Sequence, residues 1–277
     1  MRDTQHCGVS PSVDSLENLC SKMAFPSPPT DANAVPSRCY RSVNSQAMSS
    51  QQTELFRASW SVYDTIIREN YMFHREIHAR LREVIAGRAA LGGYSLLDLG
   101  CGNASGLAET LRDFPPASYL GVDLSRAALE CAVRSLAGLP VVELREQEML
   151  TCLATLPPGS ADLVYSGFAI HHLPQPDKRR MFEAIAAVRS PGGMFLLVDV
   201  VREPGESREQ YLESYLRMVA TEWPALSAAQ VREVRQHVAA HDFPESVPDL
   251  VEMARQAGLI QCRVLARHRQ HHAMLFS

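Results

Sequence analysis

Short apolar segments alternate with segments of helical spacing through the middle of this chain of 277 residues. The apolar segments are Ser95–Leu99, Ser118–Val122, Val141–Arg145, Ala161–Ser166 and Met194–Val200, and the segments of helical spacing are Gly106–Arg112, Arg126–Ala137 and Lys178–Val188. Uniformly apolar strands that alternate with helices are typical of a parallel sheet covered by helices on both faces. The alternation therefore predicts a single doubly wound α/β domain.

The chain before the first strand divides into two parts. The first 50 residues contain ten serines and five prolines and show no sustained hydrophobic period. Such a segment cannot bury enough apolar surface to offset the entropy of its ordering, so we expect residues 1–52 to be disordered or low in complexity. Apolar residues at helical spacing from about Glu54 to Arg88 predict two helices, or one long kinked helix, and Gly92-Gly93 then ends the pattern.

Helices and a closing hairpin are predicted after the fifth apolar segment. The spacing of apolar residues over 205–241 predicts two amphipathic helices, interrupted at Trp223-Pro224. A further helix is predicted near Pro248–Ala257. The segments Leu259–Ala266 and His271–Phe276 predict an antiparallel hairpin. With this hairpin, the expected sheet has seven strands and is mostly parallel, with an antiparallel strand near the C-terminus.

Charge and composition exclude several function classes. The chain has 27 Lys+Arg against 31 Asp+Glu, a formal net charge of −4, whereas proteins that bind nucleic acid through its phosphates normally have a basic excess. No apolar run approaches the roughly 18–20 residues that span a bilayer, and the pattern of a secretion signal is absent. The seven cysteines are scattered and never arranged as CxxC, which favours reduced thiols. We expect a cytoplasmic protein without nucleic-acid or membrane partners.

The most informative segment leaves the first predicted strand and turns on Gly100 and Gly102 before a helix. Glycine lets the backbone approach a ligand closely, and the following helix N-terminus offers unpaired N–H groups. Asp98 precedes the first glycine by two residues, where its charge disfavours a pyrophosphate and suits a ligand with an ammonium group. Asp123 ends the second strand, where a carboxylate can accept hydrogen bonds from both ribose hydroxyls. The pattern indicates an adenosyl ligand with an amino-acid tail.

This segment resembles motif I of the class I S-adenosylmethionine-dependent methyltransferases, which has the form DxGxGxG. Asp98, Gly100 and Gly102 match the motif, whereas Ala104 stands in place of the third glycine. Farther along the chain, residues 161–173 are similar to the family's motif IV, and Ser190-Pro191-Gly192-Gly193 is similar to its loop before strand five.

The resemblance covers roughly residues 52–277 and implies a Rossmann-like methyltransferase domain over 53–277. In small-molecule methyltransferases the helices before strand one fold over the cofactor, which implies a helical lid at 53–90. An insertion after strand five lies over the same end of the sheet, which implies a helical cap at 205–243.

The resemblance also implies S-adenosylmethionine as the cofactor. Asp123 corresponds to the acid that binds the ribose and Glu148 to the acid on the adenine side, with Met149 covering the ring. The predicted cofactor-binding residues are Asp98, Gly100, Cys101, Gly102, Asp123, Leu124, Glu148, Met149, Ser166, Tyr63 and Arg75.

Methyl transfer from a sulfonium group requires mainly that the acceptor is aligned and water excluded. An acceptor that carries a proton also needs a base, and histidine suits neutral pH. Ligands of open α/β sheets bind outside the carboxyl ends of the strands, so His171 and His172, after the fourth predicted strand, are the leading candidates. His74 of the lid is the third. Because adjacent side chains point apart, we expect at most one of the pair to face the acceptor; alternatively, both pack the loop before Pro174.

The lid also contains the spacing of a possible metal site. His74 and His78 are four residues apart, which on a helix places both on one face and can hold a divalent ion. The zinc hydrolase pattern has Glu directly after the first His, but Arg75 stands there. We therefore predict no metal site. The predicted substrate-binding residues from the lid, the fourth strand and the cap are Tyr71, His74, Phe168, Tyr211 and Tyr215.

The segment after strand four also bears on the acceptor. The Asn-Pro-Pro-aromatic signature of enzymes that methylate amines of bases and of glutamine side chains is absent, and Ser166–Ala169 stands in its place. With the acidic charge balance, this favours a small-molecule acceptor, methylated on oxygen or nitrogen. The alternative is a noncatalytic protein that binds S-adenosylmethionine as a sensor or partner subunit. A nicotinamide oxidoreductase is disfavoured, because the spacing of Gly100, Gly102 and Gly106 is not GxGxxG.

Overall fold

The computed structural model describes residues 62, 63 and 65–277. The segment 1–52 and the start of the predicted lid lie outside these residues. The helices of the described chain are α1 His74–Ala89, α2 Ser105–Asp113, α3 Arg126–Ser135, α4 Met149–Leu153, α5 Gln175–Val188, α6 Arg208–Glu222, α7 Ala228–His241 and α8 Val247–Gln256. The strands are β1 Ser95–Leu99, β2 Ser118–Asp123, β3 Val142–Glu146, β4 Ala161–Gly167, β5 Arg189–Val200, β6 Cys262–His268 and β7 His271–Phe276. Over this part of the chain, we find no helix with the length and apolar character that crossing a membrane requires.

The seven strands form one sheet in the order β3-β2-β1-β4-β5-β7-β6. The first five pair in parallel, with Leu97 of β1 opposite Leu120 of β2 on one side and opposite Val164 of β4 on the other. Strand β7 runs antiparallel to both β5 and β6. The predicted fold class is confirmed, including the antiparallel strand of the C-terminal hairpin. The strand order reverses between β1 and β4, and a crevice forms at such a point outside the carboxyl ends of the strands.

Most predicted boundaries agree with the structure within a few residues, and the largest difference is at β5. This strand begins at Arg189, five residues before the predicted start, because Arg189 pairs with Ala161 across a register shift in β4. The glycines at 192 and 193 therefore lie within a bulged strand. A Cβ at Gly193 would lie 2.9 Å from the backbone oxygen of Asp162, so only glycine fits this close approach.

Alternate residues of the central strands pack into two cores on opposite faces of the sheet. On one face Leu97 belongs to a cluster with side chains of α5 and α8, including Phe182 and Met253. On the other face Leu96 packs with α1 and α2, including Leu81 and Leu111. The sheet is therefore covered on both sides, as uniformly apolar parallel strands require.

A third cluster lies at the carboxyl end of β5. It joins Val62, Ile66 and Met72, which precede α1, to side chains of α6 and α7 such as Tyr211 and Val234. The helical conformation is interrupted between residues 65–68 and α1, at positions with positive φ that include Phe73 at 57°. Helices α6 and α7 each begin at a serine that forms a capping box with the glutamine three residues later. Together these segments form a layer over one end of the sheet.

Candidate active site

A cavity lies at the carboxyl ends of β1, β2, β4 and β5, between the sheet and the layer formed by residues 62, 63 and 65–72 with α6 and α7. Its lining contains eleven of the residues predicted from the sequence, namely Tyr63, His74, Asp98, Gly100, Cys101, Gly102, Asp123, Phe168, His171, His172 and Tyr215. It is also lined by His78, Tyr165, Trp223, Val234, His237 and Asp242, among others. The cavity therefore brings residues of the predicted cofactor site together with all three predicted base candidates, His74, His171 and His172.

The glycine loop between β1 and α2 forms one wall of the cavity. Gly100 has a φ of 72°, and a Cβ there would lie 2.5 Å from the Cβ of Ala169, so the loop packs against the segment after β4 only with glycine. Gly102 has a φ of 53°, and no protein atom lies within 4 Å of the position that its Cβ would occupy. The free space beside Gly102 suits close approach of a ligand to the backbone.

Asp98, at the end of β1, is almost fully buried beside this loop. Tyr119 donates its hydroxyl hydrogen bond to Oδ2 of Asp98 at 2.7 Å, while Oδ1 is buried without a partner in the described chain. Burial raises the pKa of this carboxyl group to about 7. A buried acceptor that lines a cavity and lacks a donor is suited to a ligand ammonium group.

Asp123 connects the end of β2 to the glycine loop. Its Oδ2 accepts the backbone N–H of Gly102 at 2.8 Å, and its Oδ1 accepts the backbone N–H of Ser125 at 2.7 Å. Burial raises the pKa of Asp123 to about 6, although these backbone hydrogen bonds oppose the increase. Each carboxylate oxygen can accept a further hydrogen bond, so the group remains able to bind a pair of hydroxyls.

Other predicted cofactor contacts do not line the cavity. The hydroxyl of Ser166 donates to the backbone oxygen of Leu99 at 2.9 Å and faces away from the cavity. Arg75 donates to the backbone oxygen of Arg68 and is exposed. The prediction that Ser166 and Arg75 contact the cofactor is therefore not supported, because both side chains are engaged elsewhere.

The residues predicted on the adenine side lie outside the cavity lining. Both carboxylate oxygens of Glu148 cap α4, accepting the backbone N–H groups of Leu150 and Thr151. The Sδ of Met149 would lie 3.7 Å from a Cβ at Gly100. Leu124 is 52% exposed. None of Leu124, Glu148 and Met149 is part of the lining, and Glu148 already has a structural role in the helix cap.

His171 lies in a short 3₁₀ turn, Ile170–His172, two residues after the end of β4. Its Nδ1 forms a hydrogen bond with one carboxylate oxygen of Asp199 in β5, and its backbone N–H donates to the other oxygen at 2.9 Å. Burial lowers the pKa of the imidazole, but the carboxylates of Asp199 and Asp242 outweigh burial, so the pKa is raised above its ordinary value. With Nδ1 bonded to Asp199, the other ring nitrogen, Nε2, lies 3.7 Å from Oδ1 of Asp242.

His172 lies against the same carboxylate. Its Nδ1 is 3.7 Å from Oδ1 of Asp242 and 3.2 Å from the backbone oxygen of His241. The ring centroids of His171 and His172 are only 3.9 Å apart, and both residues line the cavity. Both histidines therefore line the cavity, and that at most one of them faces the acceptor stays a prediction.

His237 of α7 completes this group from the cap. Its ring packs edge-on against that of His172, with centroids 5.4 Å apart, and its Nδ1 is buried without a hydrogen-bond partner in the described chain. Burial lowers the pKa of His237 to about 4 and raises that of Asp242 to about 6. His171, His172, His237 and Asp242 are called the histidine–aspartate cluster below.

His74 occupies the opposite wall, at the start of α1. Its ring stacks on Phe168 with centroids 5.3 Å apart and lies 5.8 Å from the ring of His78. Burial lowers the pKa of His74 to about 3, and the neighbouring His78 contributes in the same direction. Phe168 has a φ of 53°, a conformation that bulky residues rarely adopt, directly after β4.

The predicted substrate-binding tyrosines differ in position. Tyr215 lines the cavity, and its hydroxyl lies 3.0 Å from Nε2 of His271. Tyr211 is fully buried behind it, and Tyr71 stacks on Trp223 while its hydroxyl accepts a backbone N–H from the loop between α6 and α7. Neither Tyr211 nor Tyr71 is part of the lining, so they support the pocket wall instead of contacting the space within it.

Three partners in the site were not predicted. Asp199 is a single charged residue in the apolar run of β5, and this was the available signal for its contact with His171. Tyr119 reaches Asp98 from the neighbouring strand. Asp242 follows α7 and approaches the histidines only through the tertiary fold.

Known proteins share this chain's central segment. A family described as a methyltransferase domain matches residues 96–193. A fatty-acid O-methyltransferase of Mycolicibacterium smegmatis is 31% identical over 116 residues, which cover 41% of this chain and 40% of that protein. A ubiquinone biosynthesis O-methyltransferase of Cupriavidus pinatubonensis is 28% identical over 177 residues, which cover 63% of this chain and 64% of that protein. The aligned parts span less than two thirds of these relatives.

Solved structures extend the similarity of fold. An O-methyltransferase family protein from Burkholderia thailandensis has a TM-score of 0.56 at 17% identity, covering 80% of this chain and 59% of that chain. The apo form of the S-adenosylmethionine-dependent methyltransferase SibL has a TM-score of 0.51 at 15% identity, covering 82% and 58%. At these identities the likeness concerns the fold alone. The chain therefore matches a methyltransferase-domain family over residues 96–193 and is similar to named methyltransferases, which supports the predicted class I S-adenosylmethionine-dependent methyltransferase family.

Proposed function

We propose that this protein transfers the methyl group of S-adenosylmethionine to a small-molecule acceptor, on oxygen or nitrogen, by in-line displacement. One observation carries the proposal: a single cavity is lined by Gly102 and Asp123 on one side and by His171 and His172 on the other. A methyl donor bound at Gly102 and Asp123 therefore shares one cavity with two histidines that can accept the acceptor's proton.

The residues of the cofactor wall fit S-adenosylmethionine. The unpartnered Oδ1 of Asp98 suits the ammonium group of the methionine tail, and the two oxygens of Asp123 suit the ribose hydroxyls. The free space beside Gly102 gives the ligand access to the backbone. When bound, the cofactor supplies a methyl group on a sulfonium, whose neutral thioether is an excellent leaving group.

The acceptor side of the cavity favours a small, largely apolar molecule. Phe168, Tyr215, Trp223 and Val234 line it, and α6 and α7 lie over the carboxyl end of β5. A largely apolar pocket suits a metabolite better than a polynucleotide, in line with the net charge of −4. The names of the relatives, a fatty-acid and a ubiquinone biosynthesis O-methyltransferase, support oxygen as the methylated atom.

The acceptor's proton is handled at the histidine–aspartate cluster in this proposal. Asp199 fixes the orientation of His171 through Nδ1, which leaves the Nε2 lone pair for chemistry. His74 is a weaker candidate, because it is buried between His78 and Phe168. A cytoplasmic location is part of the proposal, supported by free cysteines in the described residues.

The test is a screen of small molecules with hydroxyl, carboxyl or amino groups, in which released S-adenosylhomocysteine is measured. We expect turnover with at least one class of acceptor and binding of S-adenosylmethionine but not of a nicotinamide dinucleotide. Tight cofactor binding without turnover on any acceptor would favour the noncatalytic alternative. Absence of cofactor binding would contradict both.

A further inference from the structure

Asp242 presents a buried carboxylate oxygen to two imidazoles. Its Oδ1 lies 3.7 Å from Nε2 of His171 and 3.7 Å from Nδ1 of His172, and the side chain is only 5% exposed. This oxygen has no hydrogen-bond partner among the described residues. Because an acceptor taken out of water without a donor is costly, a buried oxygen normally has a partner in the functional state. The three side chains lie close together, so the missing partner of this oxygen must be small.

The separations suit one shared metal ion. Bonds from a transition metal to imidazole nitrogen or carboxylate oxygen measure about 2.0–2.2 Å, so two ligands of one ion lie up to about 4.2 Å apart. One ligand atom from each of His171, His172 and Asp242 lies within 4.8 Å of the other two. Small rotations of the side chains are enough to bring all three to bonding distance.

A second feature points the same way. In histidines that bind a metal, the N–H of the other ring nitrogen almost always donates a hydrogen bond to a carboxylate or carbonyl group. This bond fixes the orientation of the ring and raises its basicity. His171 has this arrangement, because Asp199 forms a hydrogen bond with Nδ1 of the imidazole and also accepts the backbone N–H of His171. His237 adds a buried ring nitrogen without a partner beside His172.

We propose that His171, His172 and Asp242 bind one divalent transition-metal ion. Two imidazoles and one carboxylate suit the ions from Mn²⁺ to Zn²⁺ better than Mg²⁺ or Ca²⁺, which prefer oxygen ligands. The sequence spacing does not predict the site, because Asp242 is separated from the two histidines by α5 to α7. All three residues line the cavity, so the remaining coordination positions face the acceptor.

This inference rests on the proposed function and narrows the acceptor to one with an oxygen that can bind the ion. Such an oxygen loses its proton to water more readily, because the ion stabilises the anion. An oxygen lone pair forms the new C–O bond, the C–S bond of the sulfonium breaks, and its electron pair stays on sulfur. The products are the methylated acceptor, S-adenosylhomocysteine and a proton in solvent.

Calorimetric titration of the chelator-treated, untagged full chain with Mn²⁺ or Zn²⁺ tests the site. We expect one ion per chain, and we expect Asp242→Asn and His172→Asn each to weaken binding by at least about tenfold. Asp199→Asn should weaken it about 10–100-fold, since it removes the group that orients His171. The matched control is His78→Asn, which disrupts the other histidine pair of the cavity and should leave the metal affinity unchanged.

Cofactor affinity, measured on the same variants, shows whether they fold. Asp242→Asn and His172→Asn should bind S-adenosylmethionine like the unsubstituted protein, because the glycine loop is untouched. Turnover should fall at least about tenfold on chelation and return on adding the ion. Metal affinity unchanged by Asp242→Asn overturns the site. Full turnover of the chelated protein overturns the role of the ion, while leaving methyl transfer, with His171 acting as a base, in place.

Discussion

Tyr119 of β2 donates its hydroxyl hydrogen bond to Asp98 of β1, at 2.7 Å, directly beneath the glycine loop. The two strands are neighbours, so the side chain of Tyr119 reaches across from β2 to the acid one residue before the end of β1. This contact stabilises the ionised carboxylate, yet burial dominates and the pKa of Asp98 is raised to about 7. Asp98 therefore changes its charge near neutral pH, where cofactor binding would be sensitive to it.

The first prediction is that affinity for S-adenosylmethionine falls as the pH is lowered through about 7. The ligand ammonium requires the ionised carboxylate, and the free group is protonated below its pKa. Between pH 7 and pH 6 the ionised fraction of such a group falls about fivefold, so the dissociation constant should rise by about that factor. Calorimetric titration over this range measures it.

Asp98→Asn is the control for this effect. The variant should bind the cofactor more weakly at pH 7 and show a much flatter pH dependence, because the titrating group is gone. An unchanged slope in the variant would assign the pH dependence to another group, such as Asp123, whose pKa burial raises to about 6.

The second prediction concerns Asp123→Ala. Hydrogen bonds to a charged group contribute about 1.5–3 kcal/mol each, so loss of the contacts to the ribose should weaken cofactor binding about tenfold or more. Because the carboxylate also accepts backbone N–H groups of Gly102 and Ser125, the melting temperature should fall as well. Asp113→Ala, an exposed acid of α2, is the control. Unchanged affinity by titration would remove Asp123 from the site.

The third prediction contrasts two glycines of one loop. Gly102→Val adds a side chain where no protein atom lies within 4 Å, so the protein should fold, at a cost of about 1–2 kcal/mol for the positive φ, and lose cofactor binding. Gly100→Ala places a Cβ 2.5 Å from that of Ala169, so its main effect should be loss of stability. Thermal unfolding and calorimetric binding of both variants separate the two effects. Retained binding by Gly102→Val would contradict close approach of the ligand there.

The fold and the glycine loop could be predicted from the sequence because their signals are local. Each apolar strand is a continuous segment, and Asp98, Gly100 and Gly102 lie within five residues of one another. Orientation along a strand was harder to predict. Tyr165 and Gly167 line the cavity, whereas Ser166 between them points to the opposite side, as alternation along a strand requires.

The histidine–aspartate cluster could be predicted only in part. His171 and His172 stand out by their place after β4, but their partners come from distant segments. Asp199 lies in β5 and Asp242 lies after α7, and no spacing rule joins them to the histidines. Glu148 shows the reverse case, since its position suggested a ligand contact and the fold uses it to cap α4.

The fourth prediction uses the position where the family motif has its third glycine. Ala104 has a φ of 57°, in the left-handed region that favours glycine. Ala104→Gly relieves this strain, so it should raise the free energy of unfolding by about 0.5–1 kcal/mol. Ala108→Gly, within α2, is the matched control and should lower it by about 1 kcal/mol. Chemical denaturation measures both, and a loss of stability in Ala104→Gly would contradict the strain.

The fifth prediction is that His171→Asn lowers kcat by about 10²–10⁴ while the affinity for S-adenosylmethionine stays nearly constant. The asparagine removes the Nε2 lone pair, which is needed whether it takes a proton or binds an ion. The cofactor wall, formed by Gly102 and Asp123, is untouched. Turnover is followed by the release of S-adenosylhomocysteine with an acceptor found in the screen.

The control for this variant is His268→Asn. His268 stacks on Phe73 outside the cavity lining, so kcat should change by less than about twofold. Because His171 is buried against Asp199, its replacement also removes a structural contact, and thermal unfolding of His171→Asn must be measured beside kcat. The rate must be measured at a temperature where the variant is folded. If the melting temperature is lower but kcat stays within about threefold of the unsubstituted protein, His171 only packs the loop after β4. The acceptor's proton would then leave by another route, and His74 on the opposite wall would be the next residue to replace.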